Sequence, residues 1–241
     1  MSTRGPRFSG KRRLTAIALS VTGLVAVLAV VGVLVLNTRT AHGSGTGGGG
    51  CFNVSGPACT FKGNSSFNDF GTVSTDGCIF TESQVSFFDS LSRPGNVATQ
   101  SVFLSVSKWD ACNGVPLEEA SNFDPNSGAS IFNGTVQFGS NLSTGTVNGT
   151  APMYDEFTGN LLFTTTVNLT VKGYGPSSKF SDSSHFHAPG FVMNSHFTGT
   201  SRSAEASGTF TDEAGNNLVS SPSLYSELDS STGGTVQIFR Q

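Results

Sequence analysis

His185, His187 and His196 are the one group of side chains in this sequence whose types and spacing point to chemistry. An H-x-H pair on a strand puts both rings on one face, and neutral imidazole nitrogens bind zinc, copper or iron. Asp182 could supply a further ligand or orient a ring. A metal centre needs three or four ligands about 2.0 to 2.2 Å from one ion. Here Pro189 and Gly190 separate the pair from His196, and no acidic residue lies between Asp182 and Glu205. The three histidines are therefore read as polar loop residues, with no cofactor expected and a metal-dependent enzyme kept as the rival.

The other reactive residues form weaker groups. Ser183 and Ser184 adjoin His185, but no G-x-S-x-G elbow occurs in the chain, so no catalytic residue is assigned. Trp109, Tyr154, Tyr174 and Tyr225 could stack on sugar rings or pack against the core. Residues 212–217, DEAGNN, are rich in calcium-type oxygens, yet they lack EF-hand spacing and read as a hairpin turn. Four cysteines, Cys51, Cys59, Cys78 and Cys112, are even in number with no C-x-x-C, which favours disulfides. A hairpin turning near Gly95 brings Cys78 and Cys112 together at its splayed end and leaves Cys51 with Cys59. Six Asn-x-Ser/Thr sequons occur, at Asn53, Asn64, Asn133, Asn141, Asn148 and Asn168.

Where these residues work is decided by residues 14–36, an uncharged run long enough to cross the ~30 Å hydrocarbon core as a helix. Arg4, Arg7, Lys11, Arg12 and Arg13 precede it, and only Arg39 follows before Lys62, which places the amino terminus in the cytoplasm. A small-x-small cleavage site ending at Ala41 would need Arg39 at its first position, which favours an uncleaved signal anchor over secretion after cleavage. Residues 1–13 are then a cytoplasmic basic stub, 37–50 a Gly-rich linker, and 51–241 an extracytoplasmic domain. The linker contains G-x-G-x-x-G at Gly45, Gly47 and Gly50, but no strand precedes it and no helix follows, so a phosphate cradle is excluded by context. All 16 Asp and Glu lie beyond residue 50 with only seven Lys and Arg, a balance of −9 that repels phosphate backbones and excludes nucleic-acid binding.

The exported stretch is all-β. Apolar residues alternate with Ser, Thr and Asn, and no stretch holds a helical apolar face over three turns. In residues 161–171, Leu161, Phe163, Val167, Leu169 and Val171 point to one side and Thr164, Thr166, Asn168 and Thr170 to the other. Matching faces predicts a meander over 130–172, pairing Val136 with Val147, Phe138 with Gly145, Val147 with Val167 and Met153 with Leu161. A hairpin is predicted from 78–88 and 97–109, another from 191–201 and 204–211, and a last strand over 235–240 that closes the sheet. Helical turns are expected only at 118–120, 155–156 and 224–228. About nine antiparallel strands predict a β-sandwich or a closed β-barrel behind a single transmembrane helix, since either hides its edges.

The functional expectation is a single-pass cell-membrane protein whose outer β-domain is a binding or structural module of the cell envelope. Its one assignable partner is the membrane, through residues 14–36. A lipocalin-like carrier is the further alternative, requiring an apolar lumen.

Overall fold

The computed structural model describes residues 59–93, 97–127, 129–188 and 191–240. The basic stub, the apolar span, the linker, Cys51 and Asn53 lie outside them. The described chain is all-β: β1 (Cys59–Val73), β2 (Ile79–Arg93), β3 (Val97–Asp110), β4 (Val115–Ser121), β5 (Asn133–Phe138), β6 (Thr144–Asp155), β7 (Leu161–Gly173), β8 (Ser178–Ala188), β9 (Phe191–Phe210) and β10 (Tyr225–Arg240). All ten are antiparallel and belong to one sheet. Its pairings run in a ring, β1-β2-β3-β4-β6-β7-β9-β10, and return to β1. β5 continues β4 along the edge of β6, and β8 continues β7 along the edge of β9.

Period-two patterning explains the ring. Val167, Leu169 and Val171 of β7 are wholly buried, whereas the alternating Thr166 and Asn168 are exposed and Thr170 is half-buried. Most other strands of the ring repeat this alternation, the short β4 being the clear exception, and the inward side chains, with Phe70, Phe87, Leu104, Met153, Phe210 and Leu228 the largest, pack as one cluster. Two walls approach closely at Gly145, where an added Cβ would lie 2.9 Å from Leu228 and 3.1 Å from Phe87. Only glycine fits there without moving the core.

Carboxylates close several turns. Asp76, Asp110, Asp124 and Asp155 each accept backbone N–H bonds from residues two or three positions on. These bonds hold each of the four below the usual Asp range; the largest effect comes from the side chain of Ser74 at Asp76, the side chain of Asn113 at Asp110, the backbone of Asn126 at Asp124 and the backbone of Thr158 at Asp155. Residues 212–217 form the expected turn, with Asp212 accepting from the backbone and side chain of Asn216.

Several sequence expectations are corrected. Phe138 does pair with Gly145 and Val136 with Val147. Between β6 and β7, however, Val147 faces Leu169 and Met153 faces Phe163, two residues from the expected partners. A slip of two keeps every side chain on its face, so alternation alone could not detect it; the turn held by Asp155 and a bulge after Met153 set it. The expected hairpin over 191–211 is instead one 20-residue strand, β9; Arg202-Ser203 offers no Gly, Asn or Asp for the positive φ that a two-residue hairpin turn requires. Its first half pairs with β8 up to Ala188 and Phe191, on either side of Pro189-Gly190, and its second half pairs with β7. Residues 118–120 and 225–228 are strand, not helical turn. Cys78 and Cys112 are bridged, with Cα atoms 5.1 Å apart, just beyond the last β2–β3 pair, Ile79 and Asp110. The splayed end absorbs the one-residue offset between them.

Candidate functional site

β9 and β10 stay paired only as far as Ser203 and Glu227. Beyond that rung β9 runs on beside β7, while the chain entering β10 leans towards β1, where the Leu224 N–H donates to the Asp69 carbonyl. The strands therefore fork, and the fork leaves a hollow of about 540 Å³ lined by Tyr174, Ser203, Glu205, Pro222, Leu224 and Tyr225 among others. Tyr174 and Tyr225 reach it from opposite sides of β9. Tyr174 lies in the jog between β7 and β8, where its N–H donates to the Ser203 carbonyl at 2.8 Å. Arg202 secures the same jog by donating from Nε to the Gly175 carbonyl at 3.1 Å. Tyr225 opens β10, and its hydroxyl donates to Oε2 of Glu227. Tyr174 is 58% exposed, Leu224 61% and Tyr225 36%, so the apolar floor of the hollow faces solvent.

An acidic strip borders it. Tyr225, Glu227 and Asp229 alternate onto the outer wall while Ser226 and Leu228 are buried on the inner one. Burial raises Glu227, and burial with the neighbouring charge of Glu227 pushes Asp229 up to about 7, against a hydrogen bond from Ser201. Oδ1 of Asp229 is buried with no hydrogen-bond partner among the described residues. On β1, burial also raises Asp69 despite a 2.9 Å bond from Gln84 Nε2. Burial and the charge of Asp69 raise Glu82 on β2.

From Glu205 the outer wall continues into an uncharged face. Across β5, β6, β7 and β9, Thr135, Asn148, Asn168 and Thr209 form one rung, and Gln137, Thr146, Thr170 and Ser207 the next. Asn133, Thr150 and Thr166 form a third. Most of these side chains are exposed. Four sequon asparagines, Asn133, Asn141, Asn148 and Asn168, are exposed on or beside this face, whereas Asn64 is half-buried.

The histidines occupy β8 and β9. His185 faces Asn194 and Ser183 faces His196, so His185 and His196 share one face as diagonal neighbours. Nδ1 of His185 is hydrogen-bonded to Oδ1 of Asn194, and Nδ1 of His196 lies 2.7 Å from Oγ of Ser183. His187 pairs with Val192, and Asp182, one position out of step, faces Phe197 on the other side of the sheet. Among the described residues no group of three or more His, Cys, Asp or Glu side chains could hold a metal ion.

The sequence suggests Trp109, Tyr154, Tyr174 and Tyr225 together as one stacking platform, and of these four only Tyr174 and Tyr225 line the hollow. Trp109 and Tyr154 stand elsewhere, on β3 beside Phe80 and Pro116 and on β6 beside Leu161 and Ser121. The signal that could have separated Tyr174 from them is the interruption Gly173-Tyr174-Gly175-Pro176 in an otherwise alternating stretch. Comparison with protein-family models, with curated proteins and with solved structures finds no match to this chain.

Proposed function

We propose that this chain is a membrane-tethered β-barrel of the cell envelope, held outside the membrane by residues 14–36, and that it works as a binding module through the hollow between Tyr174 and Tyr225. The observation that carries the reading is the exposure of two aromatic rings and Leu224 in one concave place beside hydrogen-bonding groups. A hollow of this size and mixed lining suits a small ligand or one unit of a longer one. Exposed aromatic surface gathered in a concavity, rather than scattered singly, marks interaction sites. The carrier alternative requires an open lumen, and the inward Phe70, Phe87, Met153 and Phe210 pack together where it would lie.

The test is ring-proton NMR of the full chain in lipid nanodiscs with labelled tyrosine, titrated with small neutral, cationic and anionic probes. The reading expects the Tyr174 and Tyr225 resonances to move together with one probe class while Tyr154 stays still. Uniform silence of both rings across all classes would overturn it.

A further inference from the structure

We infer that the ligand of the Tyr174–Tyr225 hollow is a neutral, extended glycan, which runs from the hollow onto the uncharged face of β9, β7, β6 and β5. This inference rests on the hollow being a binding site, as proposed above.

Two independent features of the outer wall point to this chemistry. The first is the hollow itself. A pyranose ring has one face of C–H groups and a rim of hydroxyls, so it needs an apolar platform with donors and acceptors at its edge. Tyr174, Tyr225 and Leu224 supply the platform, and Ser203, Glu205 and Ser223 supply the edge. The hydroxyl of Tyr225 is committed to Glu227, which fixes the ring in place before any ligand arrives.

The second feature is what continues from it. Along the outer wall of β9, Glu205 is followed by Ser207 and Thr209, each at the end of a rung of Thr, Asn and Gln side chains that reaches β5. Those two rungs contain no charged residue and no large apolar one. These two rungs offer a polyanion no cation, the exposed Lys172 of the adjoining rung standing opposite the carboxylate of Glu205, and they offer a basic peptide no run of carboxylates; they do offer hydroxyl and carboxamide groups at the spacing of paired strands, about 4.8 Å. A chain of hydroxylated rings matches that array in chemistry, and anchoring one ring in the hollow places the rest over it. The acidic balance of the exported residues further disfavours acidic polysaccharides.

Calorimetric titration of the full chain in nanodiscs, free of sugar-based detergent, tests this with cellohexaose, maltohexaose and chitohexaose, their disaccharides, hexagalacturonate and hexalysine. At least one neutral hexaose is expected to bind, at least tenfold more tightly than its disaccharide. Tyr174→Ala and Tyr225→Ala are expected to weaken it at least tenfold, with Tyr174→Phe restoring it and all variants melting within a few degrees of the parent. Replacing Thr209 and Asn168 by Ala should remove the advantage of the hexaose over the disaccharide while leaving disaccharide binding intact. Binding of hexalysine or hexagalacturonate alone, lost in Tyr174→Ala, would overturn the neutral-glycan assignment, in favour of a cationic or an acidic ligand respectively, and leave the hollow as a site. Hexaose binding unchanged in both tyrosine variants, or binding of no probe, would overturn both.

Discussion

Oδ1 of Asn122 accepts the backbone N–H of Leu104 at 2.9 Å, and the Asn122 N–H donates back to the Leu104 carbonyl at 3.1 Å, so this one residue stands in for a strand where β4 has ended. Its Nδ2 donates to the carbonyls of Val102 and Ile131 at 2.9 and 3.0 Å. Asn122 is wholly buried, and Gln100 bridges the same seam by donating to the Val136 carbonyl at 3.0 Å. The β4–β6 link in the ring is only two residue pairs long, so the seam depends on these side chains. Asn122→Ala would leave the Leu104 N–H and two carbonyls buried and unpaired, at a cost of about 3 to 5 kcal/mol. The expected drop in thermal midpoint is about 10 °C. A midpoint within two degrees of the parent would show that water fills the seam without loss.

That seam explains what could be read from the sequence and what could not. All-β class, the inward faces of β6 and β7, and the Cys78–Cys112 bridge follow from alternation and from turn chemistry, which act over a few residues. Asn122 has no such signature, because its partners lie on β3 and beyond β4, and an Asn between Ser121 and Phe123 reads as loop. The β6–β7 register escaped because faces repeat every two residues. The single strand β9 escaped because its partner changes from β8 to β7 midway, and sequence shows alternation but not the partner. The tyrosine hollow is a fork between strands, a property of pairing and not of either residue.

Asp229 predicts a pH dependence opposite to that of a carboxylate in a salt bridge. Its pKa in the fold is about 7, raised by burial and then by Glu227, from an ordinary 3.8. The folded state therefore holds this proton more tightly than the unfolded chain. Its contribution is most favourable below the unfolded pKa and is lost as pH rises from about 4 to 7. Asp69, Glu82 and Glu227, raised chiefly by burial, act in the same direction. The turn residues Asp76, Asp110, Asp124 and Asp155 act in the reverse sense as pH falls below 4. The midpoint should peak near pH 4 to 5 and decline towards pH 8. Asp229→Asn should raise the pH 8 midpoint by several degrees and flatten the decline. An unchanged profile in that variant would place the effect elsewhere.

If residues 14–36 are the uncleaved anchor proposed above, alkaline carbonate should leave the full-length chain in the membrane pellet, because an uncharged run of that length is enough to hold a chain in the bilayer. Protease added from outside should then remove everything beyond the Gly-rich linker. Recovery of a soluble species beginning near Ala41 would identify the segment as a cleaved signal peptide.

The histidines separate a binding module from a metalloenzyme, and zinc titration of the intact protein decides between them. His185 and His196 are exposed, and their Nδ1 atoms are already engaged by Asn194 and Ser183 on the neighbouring strand. These contacts leave Nε2 of each ring to bind an ion, but two rings fall short of the three or four ligands a metal centre needs, and among the described residues no group of three or more His, Cys, Asp or Glu side chains could hold one. A site of real affinity would nonetheless announce itself: ligand at 100 times its Kd stabilises a fold by about 2.7 kcal/mol, which for a domain of this size is about 5 to 10 °C. We expect 100 μM zinc to leave the midpoint within a degree or two, equally in the parent and in the variant with His185, His187 and His196 all replaced by Ala. The loss of the His185–Asn194 and His196–Ser183 contacts should itself cost only about 1 kcal/mol, since cross-strand contacts exposed to water contribute little. A zinc-dependent rise in the parent that is absent from the variant would establish a metal centre on β8 and β9 and restore the enzyme reading.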